Sequence, residues 1–367
     1  MHISFYNCSE IPVVFAYQTS HLLALKLFAG KTLYQDDKQG RTRKNSMLGV
    51  RIAATGLSIP PRVETAQDLG PRIGKSSEWI ERHTGVLRRH ISDRSMAEQG
   101  ADAARDALGN GGPPDLVINA SLTPIQLIPD SSIFIMKELG FEGIPGFSVH
   151  STCLSFLVAL QVATNFVQLG QYRRILVISS EQGSVCRDFE QPESASLIGD
   201  GAAAAIIEPT PTGSTAGVLG FAMKTWPSGG ALTELRGCGT RCHPNNPETV
   251  SRDNLFHMSG PRIYKMALQL VPTVILPLLQ EAQLTPADID IVVPHQASGQ
   301  GMIAYERLGF TSAQIFNVVA EYGNCIAASI PIALALALRE GRIQPGNRVL
   351  LMGLGAGLSV AGTLLRW

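Results

Sequence analysis

The stretch from Phe147 to Gly170 constrains the fold of this chain more than any other part of the sequence. It predicts a short apolar strand, Phe147 to Val149, followed by a tight polar turn and a helix that ends at Gly170. Because this helix is apolar on almost every side, it must be buried. A chain of 367 residues is long enough to surround it, either as two ordinary domains or as one large duplicated domain.

Cys153 lies in the turn at the start of this helix. The first N–H groups of a helix have no intrahelical partner, and the positive end of the helix dipole lies there. Both effects favour a thiolate, which is the nucleophilic form of cysteine, and they predict a lowered pKa for Cys153. The alternative is that Cys153 is a small buried apolar residue, as most unpaired cysteines are.

The remainder of the chain from Met47 alternates between helix and strand, which predicts an α/β protein with largely parallel sheets. Its second half repeats the design of the first, since the segment Gly199 to Glu208 matches Gly353 to Gly362. In each of these segments a glycine turn leads into a strand. We therefore expect two pseudo-duplicated βα halves, residues 47–212 and 213–367, with a site where the halves meet.

The amino-acid composition limits the classes of function that this chain can have. Lys plus Arg and Asp plus Glu number 30 each, so the zero net charge gives no support for nucleic-acid binding. No apolar run reaches the roughly 20 residues that span a bilayer, and we expect no membrane partner. The six cysteines lack the spacing of a disulfide framework, which favours a reducing, cytoplasmic location.

Two further segments receive a structural interpretation. Residues 1–46 end in a polar, charged stretch and are predicted to be a dispensable leader. Cys238, Cys242 and His243 suggest a metal-binding segment, but no second ligand pair at matching spacing follows, so we expect no metal site.

Two polar residues of the second half lie where catalytic groups of α/β sheets are found. His295 ends the apolar strand Val292-Val-Pro-His, and the carboxyl ends of strands commonly carry catalytic groups. Asn324 lies in a Gly-Asn turn before another apolar helix. Each residue alone is more often structural than catalytic, and Asn324 suits an ordinary turn.

The terminal glycines do not form a dinucleotide site. Gly353, Gly355 and Gly357 follow a strand but lead into a second strand, whereas a phosphate cradle needs a helix N-terminus. We expect a tight turn whose backbone N–H groups face a pocket.

Taken together, Cys153, His295 and Asn324 resemble the Cys-His-Asn set of thiolase-fold condensing enzymes. The resemblance covers residues 50–367 and is strongest to the β-ketoacyl-acyl-carrier-protein synthase III group. The group's motifs occur in order at Trp79-Ile, Thr84-Gly, Cys153, Gly199-Asp-Gly-Ala202, His295-Gln-Ala, Gly323-Asn324 and the terminal glycine turn. The resemblance implies a thiolase-like fold, a layered α-β-α-β-α sandwich.

The resemblance also implies a reaction. Cys153 would take an acyl group from acyl-CoA, and His295 and Asn324 would then bind the enolate formed when malonyl-acyl-carrier protein loses CO2. The backbone N–H groups of Cys153 and Ala356 would form the oxyanion hole. The family implies a homodimer that acts with acyl carrier protein in fatty acid biosynthesis or a specialised pathway, without a cofactor.

Other positions receive their roles only from the resemblance. Trp79 would stack on the adenine of the donor or line its entrance, although a tryptophan in such a turn can equally be a core residue. Ser298, which replaces the usual Asn, and Gly355 and Gly357 would bind substrate. Ile128 replaces an aromatic residue that closes the acyl tunnel, which predicts a medium-length primer, and it would reach the partner's tunnel. The family places carrier-protein contacts at Lys265 and Arg307.

Three alternatives stay open. The same fold carries out acyl transfer to a hydroxyl or amine, and also head-to-head condensation of two long acyl thioesters. The glutamate base of the latter group has no match between Asn119 and Asp130. A non-catalytic scaffold would not need to retain three polar site residues.

Overall fold

The computed structural model describes residues 47–237 and 239–367. The predicted leader, residues 1–46, lies outside these residues, as does Cys238 of the suggested metal-binding segment. The expectations for both segments stay predictions.

The described part of the chain forms strands and helices in alternation. The strands are β1 (Val50–Ser58), β2 (Val63–Thr65), β3 (Arg88–His90), β4 (Leu116–Asn119), β5 (Gly146–Ser148), β6 (Ile175–Glu181), β7 (Gly201–Pro209), β8 (Gly217–Thr225), β9 (Thr233–Glu234), β10 (His257–Met258), β11 (Ile291–Pro294), β12 (Arg348–Gly355) and β13 (Ser359–Arg366). The helices are α1 (Ala66–Ile73), α2 (Ser77–Thr84), α3 (Met96–Leu108), α4 (Ser131–Leu139), α5 (Ser155–Gln168), α6 (Pro192–Ala195), α7 (Gly260–Leu270), α8 (Pro272–Glu281), α9 (Gly299–Ala304), α10 (Val319–Tyr322) and α11 (Ser329–Arg339).

Two larger sheets organise these elements. The first has the strand order β1-β7-β6-β4-β5, and the second has the order β8-β13-β12-β11. Strands β6, β4 and β5 are parallel, as are β12 and β11, whereas the other pairs are antiparallel. The prediction of largely parallel sheets was therefore only half right. β13 follows β12 through a tight turn, and such a connection produces an antiparallel pair.

The two sheets repeat one pattern, as the sequence predicted. Each contains two antiparallel pairings at one side and parallel pairings at the other. The second sheet even retains a trace of a fifth strand, because Ile315 forms a parallel bridge with Val292. β7 of the first sheet ends at Pro209 and β8 of the second begins at Gly217, on the two sides of the predicted boundary.

The described residues are arranged in five layers, with two buried helices in the middle layer. One core cluster joins α5 and α11 to the facing sides of both sheets; examples are Phe156, Ile330, Val177 and Leu351. Helices α3 and α4 cover the outer side of the first sheet, and α8 covers the outer side of the second. The burial of α5 explains why its sequence is apolar on nearly every side.

Helix α7 continues into α8, and together they form the 22-residue run Gly260–Glu281. This run is long and apolar enough to cross a membrane, so the expectation that no apolar run reaches that length was wrong. Within the fold its second part packs on β8 and β13, while α7 has no fully buried residue and forms the wall of a cavity.

Candidate active site

Cys153 occupies a 3₁₀ turn, Thr152–Leu154, that leads directly into α5. Thr152 has a φ of 52°, a left-handed conformation that is uncommon outside glycine and often found at functional sites. The Ser155 hydroxyl fixes the turn by accepting from the Ser151 N–H at 2.9 Å and donating to the Thr152 carbonyl at 2.7 Å. The turn therefore presents the Cys153 side chain in one defined direction.

The predicted lowering of the Cys153 pKa was wrong. Burial raises the pKa of Cys153 to about 12, and the negative charge of Glu181 adds to the rise. The backbone N–H groups of Ala356 and Cys153 act in the opposite direction by hydrogen bonding to the sulfur. Burial outweighs these two N–H groups, and the resting side chain is a neutral thiol.

His295 follows the last residue of β11, and only 2% of its surface is exposed. Its backbone N–H donates to the Met352 carbonyl at 2.8 Å, which ties it to the neighbouring strand β12. Burial lowers the pKa of His295 to about 4, so its ring is neutral at physiological pH. Its Nδ1 is buried and has no hydrogen-bond partner among the described residues, which leaves Nε2 as the nitrogen that faces the cavity.

Asn324 is held by the segment that precedes β7. Its N–H donates to the Leu197 carbonyl at 2.8 Å, and its own carbonyl accepts from the Gly199 N–H at 3.1 Å. Gly323 has a φ of 64°, and a Cβ there would lie 2.4 Å from the Leu197 oxygen, so only glycine fits. The Gly199-Asp-Gly and Gly323-Asn motifs thus form one structural unit that fixes Asn324.

The Asn324 carboxamide uses part of its hydrogen-bonding capacity within the protein. Its Oδ1 accepts from the Ile326 N–H at 2.8 Å, and its Nδ2 donates to the Ala297 carbonyl at 3.4 Å. One hydrogen of the NH2 group is left, and Asn324 lines the cavity. This hydrogen is available to a ligand.

The terminal glycines have a packing role that the sequence did not predict. Gly353 and Gly355 lie inside β12, where a Cβ at Gly353 would stand 2.9 Å from the Cβ of His295. A Cβ at Gly355 would stand 2.6 Å from the Thr152 hydroxyl oxygen. Of the turn residues, Ala356 lines the cavity, whereas Gly355 and Gly357 do not. These glycines therefore let β12 approach the other site residues closely.

One cavity, which encloses about 1020 Å³ when its opening to solvent is included, brings the predicted site together. Cys153, His295, Asn324 and Ala356 line it, although they come from four separate segments of the chain. Away from these residues the cavity continues between α7 and the segment 301–308. Its wall there is mostly apolar and includes Ile263, Ala267, Leu268, Val271, Tyr305 and Leu308. This size and lining are typical of a site for a small organic ligand.

Two predicted ligand residues occupy different environments. Ser298 lines the cavity and caps α9, because its Oγ accepts from the Gly301 N–H at 3.1 Å while its own hydrogen stays available. Trp79 does not line the cavity. The ring of His83 stacks on Trp79 at 4.2 Å, and the Lys75 ammonium lies 5.0 Å from the indole centre. Adenine contact by Trp79 stays a prediction.

The remaining predicted residues lie at the surface. Ile128 is 85% exposed and does not line the cavity, so its contact with a partner's tunnel stays a prediction. Arg307 is exposed and belongs to the cavity wall, and Lys265 is exposed on α7. Within the described residues neither basic side chain has an acidic partner.

Glu181 is a residue of the site that the sequence did not predict. This residue ends β6, has no exposed surface, and affects the pKa of Cys153. The signal was present in the sequence, since a carboxylate at the end of an apolar strand resembles the position of His295.

The arrangement is suited to acyl transfer. A nucleophile, two backbone N–H groups directed at it, and two hydrogen-bonding side chains share a cavity with little polar lining. Such a set attacks an acyl carbon and stabilises the oxyanion that forms.

Comparison with known proteins identifies relatives over most of the chain. Residues 147–227 match the family "3-Oxoacyl-[acyl-carrier-protein (ACP)] synthase III", and residues 279–367 match the C-terminal part of that family. The β-ketoacyl-[acyl-carrier-protein] synthase III of Koribacter versatilis is 31% identical over 330 residues, which is 88% of this chain and 99% of the relative. The enzyme of that name from Synechocystis is 34% identical over 334 residues, 87% and 98% of the two chains.

The fold has the same relatives. The crystal structure of 3-oxoacyl-[acyl-carrier-protein] synthase III from Aquifex aeolicus superposes with a TM-score of 0.79 at 30% identity. The match covers 87% of this chain and all of the other. The predicted thiolase-like fold is therefore confirmed.

Proposed function

Because this chain belongs to the β-ketoacyl-[acyl-carrier-protein] synthase III family of condensing acyltransferases, we propose that it joins an acyl-CoA primer to malonyl-acyl-carrier protein through an acyl-Cys153 intermediate. One observation carries this proposal: Cys153, His295, Asn324 and Ala356 line a single cavity. The reaction has two stages, and each uses a different part of this set.

In the first stage the Cys153 sulfur bonds to the thioester carbon, and the bond from that carbon to the CoA sulfur breaks. The thiol proton of Cys153 passes to the departing CoA thiolate. The oxyanion is stabilised by the N–H groups of Cys153 and Ala356, the same two groups that hydrogen bond to the sulfur in the resting protein. The pKa of the Cys153 thiol, about 12, is far above that of His295, about 4, so His295 does not remove the thiol proton in the resting protein. The thiol therefore loses its proton during the attack and not before it.

In the second stage the malonyl group loses CO2, and the electron pair of the broken bond forms an enolate. His295 and Asn324 donate hydrogen bonds to its thioester oxygen; we assign the His295 proton to Nε2, because Nδ1 is buried. The enolate carbon bonds to the acyl carbon, the bond from that carbon to the Cys153 sulfur breaks, and the released thiolate takes up a proton from solvent. Every step balances with the side chains, the two thioesters and this one proton, so we propose no metal or redox cofactor.

We further propose a primer longer than acetyl, with its chain between α7 and the segment 301–308. The cavity continues along α7 beyond Cys153, His295 and Asn324, and its wall there is apolar. Each methylene group buried against such a wall contributes about 0.8 kcal/mol to binding. The position and polarity of this region support the proposal.

The acyl carrier protein is proposed to dock beside the cavity at Arg307 and Lys265. Both side chains are exposed, and among residues 47–237 and 239–367 neither forms an ion pair, which suits an acidic partner. Arg307→Glu should raise the KM for malonyl-carrier protein severalfold with little change in kcat. Lys137→Glu on α4, which does not line the cavity, is the matched control, and equal effects of the two variants would contradict the docking site.

We propose a homodimer in the reducing cytoplasm. Strand β5 lies at the edge of its sheet, and Leu127, Ile128 and Phe147 on and before it are exposed apolar residues. An open edge with apolar side chains favours contact with a second copy.

The test of the proposed function is product formation. Purified protein with octanoyl-CoA and malonyl-carrier protein should release CO2 and yield a β-ketoacyl-carrier protein. Cys153→Ala should abolish this, whereas Cys242→Ala, a change at a cysteine outside the cavity, should not. A product made equally by both variants would overturn the proposal. Acyl transfer to an added alcohol or amine, without CO2 release, would favour the alternative acyltransferase function.

A further inference from the structure

The carboxyl group of Glu181 lies inside the molecule beside the nucleophile and has no part in the proposed reaction. It ends β6, none of its surface is exposed, and its charge reaches the Cys153 sulfur strongly enough to raise the pKa of that thiol. Burying a carboxylate costs free energy unless hydrogen bonds replace its lost hydration, so the position of Glu181 calls for a reason.

Glu181 joins two segments behind Cys153. Its Oε1 accepts from the Leu122 N–H at 2.5 Å, and its Oε2 accepts from the N–H of Thr123 at 3.1 Å and from the Thr123 hydroxyl at 2.7 Å. The backbone N–H of Ala327 also acts on it and lowers its pKa. Glu181 thus connects the segment after β4 to the turn that follows Asn324.

The duplication of the fold relates the surroundings of Glu181 to those of Cys153. Thr152 begins a 3₁₀ turn with a φ of 52°, Cys153 follows, and α5 begins at Ser155. In the other half Ile326 begins the equivalent turn with a φ of 50°, Ala327 follows, and α11 begins at Ser329. The Ala327 N–H therefore corresponds to the Cys153 N–H of the proposed oxyanion hole.

Where one half directs its turn N–H at a substrate oxyanion, the other directs it at Glu181. When Glu181 is ionised, its negative charge is thus stabilised by the same kind of backbone N–H group that would stabilise an oxyanion.

No cation among the described residues forms an ion pair with Glu181. The titratable groups near it are the thiols of Cys153 on one turn and Cys325 beside the other. Asp200, which directly precedes the paired strand β7, accepts hydrogen bonds from Ser92 and Ser184 instead. Burial raises the pKa of Glu181 to about 7, so its charge changes in the physiological range.

We propose that Glu181 is a positioning residue that sets the reactivity of Cys153: its carboxyl group clamps the segments behind the nucleophile, and its negative charge opposes formation of the thiolate. The inference rests on the proposed role of Cys153. Its consequence is a thiol that resists oxidation and alkylation at rest and loses its proton only as the substrate carbonyl is attacked.

The test measures the thiol without any substrate. Alkylation of Cys153 by iodoacetamide is followed by peptide mass spectrometry from about pH 5.5 to 9.5. In the wild type, the logarithm of the rate should rise less steeply near pH 7, because each proton lost by Glu181 makes the thiolate harder to form. Glu181→Gln should remove this inflection and raise the rate at pH 9 by roughly tenfold, which is one pKa unit for Cys153.

Two further variants keep the test decisive. Glu181→Gln places an amide among N–H donors and can impair folding, which circular dichroism will show. Glu181→Asp keeps the charge and should keep the inflection. Thr123→Val removes one hydrogen bond to the charged carboxylate, so the inflection should move to higher pH.

A folded Gln variant with the wild-type profile would overturn the proposal. An unshifted inflection in Thr123→Val would do so even where the Gln variant fails to fold. Because no acyl donor is present, the profile can hold while the proposed condensation fails, and the two hypotheses are tested separately.

Discussion

The path of the acyl chain can be tested by filling the cavity from α7. Ala267 lines the cavity one helical turn before Val271, whose side chain is buried in the same wall. Ala267→Phe puts an aromatic ring in the region that we assign to the primer. Gln269→Phe is the matched control, since Gln269 is an exposed residue of the same helix that does not line the cavity.

The expected magnitude follows from the displaced part of the chain. We take the ring to exclude about three methylene groups, each of which contributes about 0.8 kcal/mol when buried. The loss of about 2.4 kcal/mol lowers kcat/KM by about 50-fold. This loss applies to octanoyl-CoA, whereas acetyl-CoA, which does not extend into the region, should react nearly as before.

The assay compares initial rates of acylation with acetyl-, butyryl-, hexanoyl- and octanoyl-CoA. A loss that grows with chain length supports the assigned path. A uniform loss across the four donors would mean that the pantetheine arm of CoA occupies the region, and the reasoning would be refuted. The assigned path would also be refuted if Ile128→Phe shortened the preferred primer and Ala267→Phe did not.

Three other predictions concern the site residues. When the pH falls from 7 to 5, the wild type should lose about 2 kcal/mol more unfolding free energy than His295→Gln does, because the buried His295 stays neutral. Urea unfolding at the two pH values measures this difference. The sign follows from the lowered pKa of His295: its contribution to stability is complete above about pH 6.5, the ordinary pKa of histidine, and is lost as the pH falls towards the pKa in the folded protein. Glu181, whose pKa is raised, has the opposite pH dependence, but it is present in both proteins and its effect cancels in the comparison. Asn324→Ala should still form the acyl-enzyme but condense about 10²–10³-fold more slowly, as measured by CO2 release. Gly353→Ala should lower activity at least tenfold by displacing His295, whereas Gly112→Ala, where a Cβ has open space, should not.

The sequence was sufficient for the fold, and for naming the residues that share the cavity, because both rest on local patterns. The apolar helix α5 had to be buried, and His295 stood at the end of an apolar strand. The repeated glycine turns indicated two similar halves, which the sheets confirm. In each case neighbouring residues carried the signal.

The sequence was insufficient where distant segments decide the outcome. The pKa of Cys153 depends on its burial and on Glu181, which is 28 residues away along the chain and is the last residue of β6. The left-handed conformation of Thr152 is imposed by packing, since threonine has no preference for it. The apolar wall of the cavity comes from a half-buried face of α7, which composition cannot distinguish from a core face.

The most direct test of the central claim is intact-protein mass spectrometry after incubation with a panel of acyl-CoAs. The account predicts a mass gain of one acyl group on the wild type, none on Cys153→Ala, and loss of the added mass when malonyl-carrier protein is supplied. Acyl groups longer than acetyl should load fastest. Equal acylation of the wild type and Cys153→Ala would contradict the assignment of the nucleophile and, with it, the proposed condensation.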